Sequence, residues 1–281
     1  MQRTFVNPDR PSRAIAPGVT LEQLAPGGKA GPHRETLSDT PGGLVWSDIF
    51  LLGDPADDFQ VTVPDLRMPP NQYWPMHWHD CWIAIVVLEG RCLVGDWWMA
   101  PGDVLITEAG LEYGPLLIGP QGCRLFEIFA KHHLQAGGYA REYRDHPTLH
   151  GTSSVFAERS GVNARNAGRQ TLPLDGVAGV AKGRLVPGAR FDLGAAAAPD
   201  RAVVLGAELA PADRLPPHSY GDWRSLMVLE GELNVAGHRL QKDAVLIVRP
   251  DSRVPEIQAG PNGAQLFEVA RTPAGVERRV F

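Results

Sequence analysis

A chain of 281 residues with 43% hydrophobic and 21% charged residues has the composition of a folded globular protein, and this excludes disorder along most of its length. A formal net charge of -5 without a Lys/Arg cluster excludes the basic footprint of a nucleic-acid-binding surface. No window approaches the roughly 18 uninterrupted apolar residues of a membrane span. Neither nucleic acid nor membrane is therefore expected as a partner.

Three cysteines, Cys81, Cys92 and Cys123, make no disulfide framework. The opening MQRTFVNPDRPSR lacks the apolar core of a secretory leader. Together these features predict a reduced, cytoplasmic protein.

In chain order, residues 1–41 are rich in Pro, Gly and polar residues and hold no period for long, so they read as an N-terminal arm. Strand-length apolar runs follow: LVWSDIFLL (44–52), FQVTV (59–63), PMHWHDCWIAIVVLEG (75–90), RCLVGDWWMA (91–100), DVLIT (103–107), YGPLLIG (113–119) and CRLFEIFA (123–130). Each is β-branched or aromatic and bounded by Gly, Pro or Asp, which predicts an all-β fold. The array then recurs. A shift of 141 positions aligns Gly42–Ala130 with Gly183–Arg271 without a gap, and roughly 25 of about 89 pairs are identical, the signature of an internal repeat. Val87-Leu88-Glu89-Gly90 falls on Val228-Leu229-Glu230-Gly231, and Leu125-Phe126-Glu127 falls on Leu266-Phe267-Glu268. The expected organisation is an arm (1–41), a first barrel (42–130), a linker (131–182), a second barrel (183–271) and a tail (272–281).

His77 and His79 stand two residues apart at the head of the apolar run that ends in Leu88-Glu89-Gly90. Residues at i and i+2 of a strand share a face, so both imidazoles can reach one metal ion. With the Pro101-Gly102-Asp103 turn and the strand after it, this arrangement resembles the cupins. Cupin barrels are small double-stranded β-helix (jelly-roll) folds, and two copies in one chain make the sequence similar to a bicupin.

The resemblance implies a metal site formed by His-x-His, a Glu a few residues on, and a third His in the next strand pair. Here Ile83 occupies the Glu position, and Tyr113, preceded by Glu112, occupies that of the third His. The second copy keeps His218 but carries Tyr220, Arg224 and Val254 at the other positions, so a metal is expected only in the first barrel.

Two imidazoles bind a borderline metal weakly and need a further protein ligand. Glu112 would complete a set of two His and one carboxylate, which leaves open positions for dioxygen or substrate. Tyr113 could bind as phenolate or act as an acid–base group, and Cys81 is a third candidate. Glu127 is more remote, and its recurrence as Glu268 in the copy without the site reads as scaffold.

The expected cofactor is one divalent ion, iron(II) first, with zinc(II), nickel(II) or manganese(II) as alternatives. Trp78, Cys81, Trp82, Ile83 and Tyr113 are the candidate pocket residues. Aromatic rings and the Ile83 side chain at a barrel mouth suit a small apolar or aromatic, oxygenated substrate. Three readings follow: a metal-dependent dioxygenase first; a redox-neutral lyase, isomerase or cyclase with Tyr113 as base second; and a non-catalytic small-molecule-binding or sensing protein third. The resemblance also implies a homodimer.

Overall fold

The computed structural model describes residues 12–24, 46–53, 59–71, 73–74, 79, 81–111, 113–130, 174–195 and 198–271. Every described element is a β-strand, and no described helix is long and apolar enough to cross a membrane. The chain divides into two compact units. One is built mainly from 62–184, the other from 185–281 together with Pro8–Gly27 and Leu51–Val61.

An eight-stranded sheet, most of it in the first unit, runs, in order, Val180–Arg184, Asp103–Thr107, Ile83–Val94, Leu116–Phe129, Gln60–Met68 and Trp46–Gly53. Tyr73–Trp74 and Trp97–Met99 pair off this path. In the second unit a nine-stranded sheet runs Ser12–Ala16, Val19–Gln23, Ala244–Val248, Arg224–Val235, Ile257–Arg271, Ala202–Leu209 and Arg190–Leu193. Arg214–Leu215 and His238–Gln241 lie off that path. His218–Ser219 and Arg253–Val254 form a separate two-stranded pair.

The segment read as an arm thus contributes two strands, and Val19–Gln23 borders Ala244–Val248. Val180–Arg184 in turn borders Asp103–Thr107. The greater part of the arm, most of the linker and the whole of the tail lie outside the described residues.

The repeat is geometric as well as textual. Both long strands leave register at the same place, between Val87 and Glu89 and between Val228 and Glu230. Gly90 (φ 70°) and Gly231 (φ 75°) follow that irregularity. A Cβ on either would come within 2.2 or 2.1 Å of the carbonyl oxygen of Gly122 or Gly263, so backbone approach and dihedral both demand glycine.

Alternation along the strands sorts side chains onto two faces. In the first barrel Ile83 faces Thr107 and Phe129, Ile85 faces Leu105 and Glu127, and Val87 faces Leu125. The corresponding file of the second barrel, Leu226, Val228, Leu246, Val248 and Leu266, is buried in one apolar cluster against which Tyr220 packs.

On the neighbouring strands of the first unit, Arg124 Nε and Nη2 donate to Asp65 Oδ1 and Oδ2 at 2.8 and 2.9 Å, both side chains almost fully buried. Removing one partner of such a pair is strongly destabilising, although Arg124 also meets the exposed Glu89 at 3.3 Å. Asp65→Ala is expected to lower stability by about 3 kcal/mol, the low end for such a pair, measured as a fall in the urea midpoint at unchanged slope.

Candidate functional site

The first site is built from two chain segments that the backbone ties together. Gly110 N–H donates to the His79 carbonyl at 2.7 Å, which sets the turn leading to Tyr113 against the segment carrying His79. The second barrel keeps the same tie, Asp251 N–H to Tyr220 O at 2.8 Å. Gly110 and Asp251 both take positive φ, 76° and 57°. The frame is therefore common to both barrels, and the side chains mounted on it differ.

In the first barrel His79 is 7% exposed and Tyr113 fully buried. Nε2 of His79 lies 3.1 Å from the Tyr113 hydroxyl, and the imidazole tautomer decides which group donates. The His79 ring meets Phe129 edge-on, with centroids 5.1 Å apart. Because Phe129 shares its face with Ile83 and Thr107, His79 belongs to the interior file. Ile83 and Thr107 are buried there too.

Cys81 and Trp82 are each 4% exposed. Cys81 sits at a bend, so strand alternation does not decide its direction. Among the described residues the Trp82 Nε1 has no hydrogen-bond partner. His77, Trp78 and Glu112 lie outside the described residues, and the structure therefore brings together His79, Ile83 and Tyr113 of the candidates. Tyr113→Phe is expected to keep the fold and to change stability by about 1 kcal/mol, the net worth of one hydrogen bond, read from thermal unfolding.

Sequence reasoning set aside one buried acid. Glu127 is 8% exposed, on the interior face two residues before Phe129. No ion pair or hydrogen bond to it is found among the described residues. Burial alone pushes its carboxyl up to about 7. Its counterpart Glu268 is fully buried, and burial also raises its carboxyl to about 7, against the opposing pull of Arg224.

Glu268 differs from Glu127 in having that cation. Arg224 Nε lies 2.7 Å from Oε1, an ion pair by distance whose angles fall short of a hydrogen bond. The Arg224 guanidinium also stacks on Tyr220, 3.9 Å from the ring centroid. Desolvation raises the Tyr220 hydroxyl strongly, so it stays protonated. His218 Nδ1 bonds the Pro216 carbonyl at 2.8 Å. Where the resemblance implies a metal, the second barrel holds its own cation.

The first barrel's described groups suit a divalent cation in their chemistry: an imidazole nitrogen, a phenol oxygen and a buried carboxyl that lacks a positive partner. No cluster of three His, Cys, Asp or Glu occurs among the described residues; His77 and Glu112 are not among them.

No protein-family model and no curated protein matches the chain. Solved structures do. Protein Ylba from E. coli is similar over 95% of this chain and 96% of its own, with 12% identity and a TM-score of 0.52. An 11S globulin from Wrightia tinctoria, whose structure reveals an auxin binding site, is similar over 83% of this chain and 80% of its own, with 14% identity and a TM-score of 0.51. A protein from Nostoc punctiforme, named as a candidate dioxygenase, covers 82% of this chain and 74% of its own, with 12% identity and a TM-score of 0.51. Similarity at this level of identity speaks for the fold alone.

Proposed function

We propose that this chain, a bicupin by its fold, is a metal-dependent enzyme whose active site lies in the first barrel. The observation that carries the reading is the asymmetry of one frame: a buried imidazole and phenol, His79 and Tyr113, stand in the first barrel, whereas a built-in Arg224–Glu268 pair fills the second. His77 and His79 would hold the ion, helped by Glu112 or Tyr113, with iron(II) favoured over zinc(II), nickel(II) or manganese(II). When bound, the ion supplies Lewis acidity or dioxygen activation at its open positions.

The chain's own residues supply the rest. Tyr113 holds a proton at its hydroxyl within reach of His79 Nε2. Phe129, Ile83, Ile85 and Leu105 give the interior an apolar wall that excludes water and orients an apolar or aromatic oxygenated substrate. Oxidative cleavage by a dioxygenase is the first reading of the reaction. The His79–Tyr113 contact favours a second, redox-neutral lyase, isomerase or cyclase chemistry with Tyr113 as proton carrier. A non-catalytic binding protein is the third. The enzyme would act as a cytoplasmic homodimer.

The test is elemental analysis of the full chain purified without a histidine tag from iron-replete cells, followed by oxygen uptake with small aromatic and 1,3-dicarbonyl compounds. Stoichiometric metal with oxygen consumption is expected. Metal with substrate turnover but no oxygen uptake selects the redox-neutral reading, and absence of metal sinks both enzyme readings.

A further inference from the structure

We propose, on the reading that the first barrel binds a divalent cation, that Glu127 is the carboxylate serving that cation, in place of the acidic residue whose position is taken by Ile83. The second barrel supplies the measure. Arg224 stands at the place of Ile83, and Glu268 at that of Glu127. Their backbones are offset by one step, since Arg224 faces Ala270 while Leu226 faces Glu268. Their head groups nevertheless meet at 2.7 Å. Side chains from these two positions therefore converge on one point of the barrel interior. Tyr220, at the place of His79, lies over the same guanidinium, which puts that point beside the His79 position as well.

The first barrel keeps the carboxyl and loses the cation. Ile83 brings no charge, and Glu127 remains buried without a partner among the described residues. An uncompensated buried carboxyl is costly, and an apolar residue of similar size would relieve the cost. Its recurrence in both barrels reads as scaffold until the partners are compared. Glu268 answers to Arg224, whereas Glu127 answers to no cation among the described residues. A cation that arrives from solution and is also held by His79 meets both needs. The carboxylate then comes from the strand Leu116–Phe129 rather than from Ile83–Val94, and the two positions reach the same place.

Titrating the chelator-stripped full chain with manganese(II) or zinc(II) alone, by calorimetry at pH 8, tests this. Glu127→Gln is expected to weaken binding by about tenfold or more, the usual scale for losing a group that supports a metal centre. Ile83→Glu combined with Glu127→Leu moves the carboxylate across the strand pair and should restore most of the affinity. Ile83→Arg reproduces the arrangement of the second barrel and should abolish binding while the chain stays folded. This last variant keeps the idea testable if Glu127→Gln fails to fold.

His79→Ala separates the two levels of the argument. If it abolishes binding while Glu127→Gln and Ile83→Arg bind as wild type does, the inference on Glu127 is overturned and the metal reading stands. If His79→Ala binds like wild type, the metal reading itself fails, and this inference with it.

Discussion

Replacing His79 by Ala is expected to weaken divalent-cation binding by at least about 100-fold. Losing a residue that merely supports a ligand costs 10–100-fold, and losing a ligand outright costs no less. The substitution isolates the imidazole because the backbone at this point is fixed by another group: the Gly110 N–H holds the residue-79 carbonyl whatever side chain stands there. Ala leaves a gap beside Phe129 and removes one partner of the buried Tyr113 hydroxyl, with a stability loss of about 1–3 kcal/mol. Adding Tyr113→Phe removes the hydroxyl that His79 meets, and the double variant should recover none of the affinity. Calorimetric titration beside urea unfolding reads the two effects separately.

The second large effect is on stability against pH. Glu127 has an ordinary value of 4.5, and in the folded chain burial raises it to about 7. Between these values the unfolded chain has released this proton and the folded chain still holds it, so a rise in pH favours unfolding. The contribution is fully present below about 4.5 and is lost as pH climbs to about 7; beyond that both states are ionised and the loss stays constant. A shift of this size corresponds to about 3 kcal/mol.

Wild type and Glu127→Gln should accordingly differ little in metal-free urea unfolding at pH 4.5. The variant should be the more stable by about 3 kcal/mol at pH 8, unless a saturating cation is added to the wild type. A difference that does not change with pH would mean that Glu127 keeps an ordinary carboxyl in the fold.

Much of the fold was legible because its determinants are local. Gly90 and Gly231 announce a turn that only glycine can make, and Val104-Leu105-Ile106 repeats as Val245-Leu246-Ile247 on paired strands. The site was legible only in part. His79 and Tyr113 stand 34 residues apart and could be brought together through the cupin resemblance, and the structure places them in contact.

The meaning of Glu127 was not legible, because it depends on a pairing across the barrel. Arg224 looks like a lost ligand position until it is seen to reach Glu268, and only then does Ile83 mark Glu127 as unserved. The strands at 12–16 and 19–23 were hidden for a related reason. Each is five residues long, too short for alternation to stand out, and their role is set by residues 244–248 at the far end of the chain.

That last pairing bears on how the molecule is made. Residues 19–23 are synthesised more than 200 residues before the strand they border, 244–248. The strand 103–107 likewise waits for 180–184. Until those partners emerge the growing chain therefore carries strands with open edges, the state most prone to pairing with the wrong neighbour. A gene cut between the two repeats separates Val19–Gln23 from Ala244–Val248 and exposes the edge that this pairing covers.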